Sequence, residues 1–578
     1  MTNEKLLQQW SNALVDGFEL PVFGVGIPWL ERVQMCIAYV EQHVLTSPTV
    51  RACLENLPKG QGSICPNSPI DELVKYLGTL NARVSKADPR VNLGLARMVH
   101  EVFCLERRCM VAANAGSKQT VAQKRFFNLA TKLASATDLL YLAWYDRMVV
   151  PHLELVTGWD KKKKQEHTDR LRELLGGPEF DYTIFDYDPA TGTISNRMTW
   201  ADTFPDIIDV IHQLLLAMAT CAENDQITDY LLALADAYIC TEVDELERLW
   251  HQTEVLWRRA PKTTAAVPEH GMEAYEHPIC VSPHFRLNER VLIGRQIIEE
   301  VRPSVVAYAK ATLPAHLAEQ AERRLLGMDV SGFVSSLRGG MDLYLLISGQ
   351  VVPNRRGIVE EQSVFNFLQV DAIATAAKRA HEYLTRHCAP DTAATLIPLV
   401  SFDGIFADTA AHEFSHPIAC TPKVDKLLGP RSVVEEAKAT IFGLVAISLV
   451  DSDRARQALA VSVYRVCRFL SREKRNDPSA EDYVRENMAM ARCLLDAGVM
   501  RLTNTGLEVD IDNQRAVENW VNLMEHFAQQ VIESYHDPKD PRAAIQKIVD
   551  EIEIFTASEP YLALIAWLDR DNNKSATN

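Results

Sequence analysis

The chain has 578 residues, of which 47% are hydrophobic and 24% are charged, and its formal net charge is −17. Its length is ample for two or more hydrophobic cores. The negative charge argues against general binding of nucleic acids or anionic membranes. No window approaches the roughly 18 to 20 uncharged apolar residues of a membrane span, and the first residues lack the apolar core of a signal peptide. The 12 cysteines form no CxxC pair, so we expect free thiols in a cytoplasmic protein.

Hydrophobic periodicity predicts a mainly α-helical fold. Apolar residues recur at three- and four-residue spacing in residues 27–44, 92–113, 120–155 and 204–257. This is the spacing that places apolar side chains on one face of a helix. Helices are also predicted for most of the chain from residue 353 to about 564.

A minor β part is predicted in two places. Residues 180–200 alternate, are rich in Tyr, Thr and Ile, and contain a Pro-Ala-Thr-Gly turn, which predicts a β-hairpin. Residues 341–352 form a second β-like stretch, and we expect the two to assemble into one small β element. Residues 259–284 contain several prolines and are predicted to be a loop-rich connector.

This pattern predicts two lobes. The first spans residues 1–290, is mainly helical and carries the hairpin near 180–200. The second spans residues 291–560, is helical and carries the candidate metal ligands described next, with residues 331–374 expected to pack on the first lobe. Residues 561–578 are predicted to be a tail.

The most informative motif is the HExxH pentapeptide formed by His412, Glu413 and His416. Two histidines four residues apart lie one above the other on a single face of a helix, where both imidazoles can bind one metal ion. Glu413 lies beside the same face and can accept a proton from a water that the metal activates. Catalytic zinc needs a third protein ligand and one open position.

The sequence also predicts the limits of two helices around this motif. The first is expected to begin at Asp408 or Thr409 and to end or kink after the second histidine, because Pro417 has no N–H to donate. The second is expected to begin with a capping box, with Ser432 at the N-cap and Glu435 at the third helical position.

Glu436 is the predicted third ligand. The helix that follows it is apolar almost all round, and a carboxylate at the start of a buried helix needs a cation or another strong partner. Glu435 has a capping role available to it, whereas Glu436 has none. We therefore predict one Zn²⁺ per chain, bound by His412, His416 and Glu436.

The two motifs, HEFSH and EEAKA, resemble the zinc site of the dipeptidyl peptidase III family, and especially that of its relatives with the shorter pentapeptide. In those relatives the second glutamate of the EEAKA-type helix binds zinc, which is Glu436 here. The resemblance covers roughly residues 270–555. It implies a two-lobed architecture with a helical zinc lobe, an active-site cleft between the lobes, and metallopeptidase activity.

Weaker resemblances suggest further site residues. The segment EAYEHP is similar to a family segment whose tyrosine polarises the scissile carbonyl, which implies that role for Tyr275. The segment VVPN lies where the family grips the substrate backbone, which implies substrate binding by Asn354. Counting back from LLDAG, Tyr483 falls where the family keeps a histidine that stabilises the transition state, and a phenol can also donate to an oxyanion.

Three positions depart from the family pattern. Thr440 replaces an acidic residue that orients a ligand imidazole, Val351 replaces an asparagine, and Tyr483 replaces the histidine just described. A threonine hydroxyl can accept an imidazole N–H, but it brings no charge. We place Thr440 and Glu435 around the metal ligands rather than on the metal.

The predicted function is that of a zinc metallohydrolase, in the first instance a peptidase of short peptides with Glu413 as general base. The alternative is a non-proteolytic zinc hydrolase, lyase or isomerase acting on a small molecule, which the departures favour. A third possibility, a binding protein without catalysis, has no need of Glu413. We expect a monomer or homodimer that binds neither nucleic acid nor membrane.

Overall fold

The computed structural model describes most of the chain from residue 114 onward. The described ranges are 114–175, 182–257, 266–273, 277, 279–343, 348–352, 365–421, 424, 430–475, 480–537 and 539–570, with the earlier positions Leu93, His100, Phe103, Cys104, Arg107, Met110 and Val111. The helix predicted at 27–44, most of the one predicted at 92–113, and the candidate site residues Tyr275 and Asn354 lie outside these residues.

The structure is mainly helical, as predicted, and the chain divides into two compact units. The first consists of Met1–Arg290 and Ser335–Leu346, and the second of Val291–Val334 and Ile347–Asn578. The segment that returns to the first unit is therefore shorter than the 331–374 expected from the sequence. None of the helices in the described part of the chain is both long and apolar enough to cross a bilayer.

Helices make up most of the described part of the first unit, and those predicted at 120–155 and 204–257 are confirmed. Its helices are α1 (Val121–Trp144), α2 (Val150–Val156), α3 (Lys161–Leu174), α4 (Trp200–Thr203), α5 (Pro205–Ala219), α6 (Asp225–Ile239) and α7 (Leu246–Trp257), with a π-helical turn at Tyr145–Val149 and a 3₁₀ turn at Val243–Glu245. The predicted hairpin is also confirmed, as β1 (Ile184–Asp188) and β2 (Thr193–Met198), which pair antiparallel.

The connector predicted at 259–284 is wrong over most of its described part. Strands β3 (Ala266–Glu273) and β4 (Ser282–Val291) pair antiparallel there. Polar side chains of this pair are buried with their partners: Arg286 donates to Asp342, outside the pair, at 2.8 and 2.7 Å, and Asn288 donates to Glu269 at 2.6 Å. The prolines and charged residues of these strands do not fit the apolar alternation by which strands are predicted. The charged residues can be buried because their polar groups hydrogen-bond to one another inside the protein.

The described part of the second unit is also mainly helical and has one contiguous hydrophobic core. Its helices are α8 (Arg295–Thr312), α9 (Ala315–Gly327), α10 (Val370–His387), α11 (Pro390–Leu396), α12 (Phe402–Ser415), α13 (Pro430–Ser448), α14 (Ser452–Phe469), α15 (Arg472–Arg475), α16 (Glu481–Asp496), α17 (Gln514–Tyr535), α18 (Pro541–Phe555) and α19 (Glu559–Leu568). The tail predicted from residue 561 is wrong as far as Leu568, because α19 buries Tyr561, Leu564 and Leu568 in this core.

The second unit contains, wholly or partly, strands β5 (Asp329–Gly340), β6 (Gly349–Val352) and β7 (Phe365–Gln369). β5 pairs parallel with β7 through Asp329–Phe333, and β6 pairs antiparallel with β7. Among the described residues of the β-like stretch predicted at 341–352, Gly349–Val352 form a strand and Met341–Leu343 form a 3₁₀ turn. The β1–β2 hairpin forms its own two-stranded sheet, so the single β element expected from the sequence is wrong. A short hairpin joins β8 (Met500–Leu502) to β9 (Leu507–Val509).

Three histidines of the first unit lie against one another. The ring of His152 on α2 is 5.5 Å from that of His167 on α3 and 4.7 Å from that of His277. Nδ1 of His277 accepts the backbone N–H of Cys280 at 3.1 Å. Burial lowers the pKa of His152 to about 4, and burial also lowers the pKa values of His167 and His277. All three are therefore neutral at pH 7.

Acidification is expected to destabilise the first unit through these histidines. The ordinary pKa is 6.5, and that of folded His152 is about 4. As the pH falls through this window the unfolded chain takes up a proton that the folded chain does not. The unfolding free energy then decreases by up to about 1.4 kcal/mol per pH unit. The urea midpoint, followed by tryptophan fluorescence, should fall between pH 7 and pH 5, and His152→Phe should remove part of that fall. An undiminished fall in the variant would contradict the assignment.

Candidate metal centre

Helix α12 carries the HExxH motif and begins earlier than the sequence predicts. Ser401 caps it by accepting the N–H of Gly404, and the helix runs from Phe402 to Ser415. Asp408 is therefore not a helix start. It lies buried within the helix, where its carboxylate forms an ion pair with the guanidinium of Arg465, with Oδ2 and Nη1 2.9 Å apart. The predicted end is confirmed, because the helix stops with His416 as its C-cap, directly before Pro417.

The two histidines of the motif face each other through their Nε2 atoms. These atoms are 3.0 Å apart. His412 and Glu413 are buried, and His416 is partly buried. One ligand atom from each of the three residues lies within 4.8 Å of the others. The helix thus brings together the two predicted histidine ligands and the predicted base.

Glu436 adds a carboxylate to this group from α13. Its Oε2 is 3.4 Å from Nε2 of His412, and this buried atom has no hydrogen-bond partner among the described residues. Ligand atoms around tetrahedral zinc, each about 2.0 to 2.2 Å from the metal, are roughly 3.3 Å apart. The distances from Nε2 of His412 to Nε2 of His416, 3.0 Å, and to Oε2 of Glu436, 3.4 Å, are close to this value, and the donor types suit a divalent metal ion such as zinc.

Glu435 does not form the predicted capping box. Helix α13 begins at Pro430, so Ser432 lies inside its first turn. Glu435 instead lies behind the second histidine: its Oε1 is 3.2 Å from Nδ1 of His416, and its Oε2 accepts the hydroxyl of Tyr535 at 2.6 Å. A carboxylate in this place holds the ring and directs Nε2 toward the metal position.

Lys438 is a site residue that sequence reasoning missed. It is fully buried and contacts Glu435 at 2.9 Å. It also donates to the backbone oxygens of His416 at 3.0 Å and Ile418 at 2.8 Å. These bonds hold the turn that follows α12 and so fix the second histidine. A lysine within an apolar helix was the signal that could have found it, because a buried ammonium needs such partners.

His412 is supported on its other side by Thr440. Its Nδ1 is 2.8 Å from the Thr440 hydroxyl oxygen. That oxygen also accepts Nη2 of Arg465 at 3.1 Å. Arg465 was not predicted, because it lies on α14, well outside the motifs.

Charge and burial act in opposite directions on the ligands. Burial disfavours the imidazolium form of His412, but contacts with Glu436 and the charge of Glu413 outweigh it and raise the pKa to about 9. Burial likewise opposes ionisation of Glu436, yet its contact with His412 and the neighbouring histidines lower the pKa. Without metal, His412 and Glu436 form an ion pair, so binding of a metal must release a proton.

Strand β6 lies next to the candidate base. A Cβ atom on Gly349 would lie 3.1 Å from Cγ and 3.2 Å from Oε1 of Glu413. The absent side chain lets the backbone of the strand approach the carboxylate closely. β6 pairs with β7 on one side and is the last strand of its sheet among the described residues.

Comparison with known proteins identifies the fold. No protein-family model matches this sequence, and no curated protein matches it. The structure of dipeptidyl peptidase III from Caldithrix abyssi matches with a TM-score of 0.53 over 88% of this chain and 95% of its own, at 14% identity. That of dipeptidyl peptidase III from Corallococcus sp. strain EGB matches with a TM-score of 0.50 over 98% of this chain and 99% of its own, also at 14% identity. The fold is that of dipeptidyl peptidase III.

The predicted resemblance is thus confirmed at the level of the fold. Within this dipeptidyl peptidase III fold, the candidate Tyr483 lies on α16, is partly buried and stacks on Phe469 with ring centroids 5.4 Å apart. The guanidinium of Arg465 lies 5.6 Å from the centre of the same Phe469 ring. Tyr275 and Asn354 lie outside the described residues, so their roles stay predictions.

A second group of metal-ligating side chains is present in the first unit of the dipeptidyl peptidase III fold. It consists of His100, Cys104 and Asp138. Asp138 is already occupied: it contacts Arg107 at 2.5 Å and His100 at 2.9 Å, and it accepts the N–H of Gly340 at 2.7 Å. Burial opposes protonation of His100, but the contact with Asp138 raises its pKa to about 10. We interpret this group as a buried ion cluster that stabilises the fold.

Proposed function

We propose that this chain is a zinc-dependent peptidase that hydrolyses short peptides. The observation that carries the proposal is the grouping of His412, Glu413 and His416, in which Nε2 of His412 lies 3.0 Å from Nε2 of His416 and 3.4 Å from Oε2 of Glu436. The three ligand residues would hold the metal. When bound, zinc supplies Lewis acidity, which makes water a stronger acid and a carbonyl a stronger electrophile.

Glu413 is the proposed general base. It is buried beside the two histidines, so its carboxylate can accept a proton from a water attacking the carbonyl and deliver it to the leaving amine. Tyr275 and Tyr483 are proposed donors to the oxygen on which negative charge develops, and Asn354 is proposed to bind the substrate backbone. These three roles rest on the resemblance described above.

The neighbouring strand favours a peptide over a small molecule as substrate. β6 lies against Glu413 and is the last strand of its sheet among the described residues. An extended peptide can hydrogen-bond to such an edge through its own backbone. This would align the peptide along β6 and present a carbonyl near the base.

A digest of a mixed peptide library tests the proposal. Zinc-loaded protein should cleave short peptides, and mass spectrometry would give the length of the released fragments. A chelated sample should be inactive and should recover when zinc is returned. Absence of cleavage by protein that holds stoichiometric zinc would contradict the peptidase proposal and favour a zinc enzyme of small molecules.

A further inference from the structure

The directions of the hydrogen bonds between His412, Thr440 and Arg465 can be assigned from which atoms can donate and which can accept. A histidine that uses Nε2 for a metal carries its proton on Nδ1, which must be donated. The acceptor within reach is the Thr440 hydroxyl oxygen at 2.8 Å. Arg465 has only donors, so it donates to that same oxygen, at 3.1 Å. The Thr440 oxygen therefore receives both bonds, and its own proton must point away from His412.

Arg465 is itself held firmly in place. Its Nη1 donates to Asp408 on α12 at 2.9 Å, and its Nη2 donates to Glu486 on α16 at 2.7 Å. Glu486 is fully buried. The charges of both carboxylates raise the pKa of Arg465 against the effect of burial, so the guanidinium is a permanent donor. Because the guanidinium is planar and is held by Asp408 and Glu486, the Nη2–H that points to Thr440 has a fixed direction.

We propose that Arg465 is a positioning residue of the metal centre: it orients the Thr440 hydroxyl so that the oxygen is always presented to Nδ1–H of His412. This inference rests on the proposed metal site and deepens it. In this chain the Thr440 oxygen, oriented by Arg465, is the acceptor for the imidazole N–H, a place that a carboxylate often takes behind a metal-binding histidine. The hydrogen bonds that link Arg465 to His412 run through the Thr440 hydroxyl, while the charge of Arg465 also acts on that imidazole.

A double-mutant cycle on metal affinity tests this route. Thr440→Val removes the acceptor, keeps the side-chain shape and leaves the ion pairs of Arg465 in place. It should weaken Zn²⁺ binding by about 10- to 100-fold in chelator competition, whereas Thr440→Ser should stay within about threefold. Arg465→Lys keeps the positive charge but loses the planar set of guanidinium N–H donors, and should weaken Zn²⁺ binding by about 10-fold. In the Thr440→Val background it should have almost no further effect.

Two further readouts separate positioning from general stability. Arg454 lies on the same helix and forms a two-point ion pair with Glu300, so Arg454→Lys is the matched control and should not change metal affinity. With Co²⁺ in place of Zn²⁺, the visible absorption spectrum should change in Thr440→Val and Arg465→Lys and remain the same in Arg454→Lys. Urea unfolding of each variant would identify a loss of affinity that is caused by unfolding.

Each outcome decides between the inference and the proposed function. Additive effects of Thr440→Val and Arg465→Lys would overturn the inference and make Arg465 a structural link between α12 and α16. A wild-type protein that binds no Zn²⁺ or Co²⁺ would overturn both. Metal binding without peptide cleavage would overturn the peptidase proposal alone, while the non-additive cycle would still support the inference.

Discussion

Glu413→Gln is expected to abolish peptide hydrolysis while leaving the metal bound. The amide has nearly the shape of the carboxylate but cannot accept a proton from water. Removing a general base typically costs about 10²- to 10⁴-fold in rate. The proposed ligands, His412, His416 and Glu436, are untouched, so we expect the Zn²⁺ affinity to stay within about tenfold. The measurements are turnover of a peptide found in the digest and chelator competition for zinc.

Glu435→Gln is the matched comparison for this prediction. It makes the same chemical change one residue before the proposed ligand on α13, at a carboxylate that contacts Nδ1 of His416. It should weaken metal binding by about 10- to 100-fold and affect turnover through the loss of metal. Full activity of the Glu413→Gln protein would exclude Glu413 as the base.

Gly443→Ala is expected to disrupt the site where α13 packs against α12. A Cβ atom at this position would lie 2.8 Å from the carbonyl carbon and 2.9 Å from the carbonyl oxygen of Ala411 on α12. These are backbone atoms, so no rotamer change can relieve the contact. The helices must move apart next to His412. The unfolding free energy should fall by about 1–3 kcal/mol, although alanine favours a helix over glycine by about 0.5–1 kcal/mol.

Chelator competition and urea unfolding of Gly443→Ala measure both effects. The Zn²⁺ affinity should fall at least about tenfold, because Thr440 and Glu436 move with α13 away from His412. Adding Ala411→Gly removes the nearby methyl group but not the backbone, so it should not restore affinity. Restoration would mean that the Ala411 side chain, and not the backbone, limits the approach of the helices.

The sequence by itself determined the core of the candidate site. His412, Glu413 and His416 lie together because a four-residue spacing on a helix is a local rule that needs no knowledge of the fold. Glu436 could be singled out for a similar reason, since a carboxylate beginning a helix apolar on all sides must have a strong partner. The mainly helical class and the β1–β2 hairpin also follow from local periodicity and turn chemistry.

Only the tertiary structure decided what surrounds these residues. Arg465 and Asp408 are 57 residues apart, and Tyr535 and Glu435 are 100 apart. No local pattern links such pairs. Strands β3 and β4 were missed for the same reason: their buried charges are acceptable only because Arg286 meets Asp342 inside the fold. A polar side chain far from any motif gains its role from the partner that burial brings to it, and that partner is set by the packing of the whole unit.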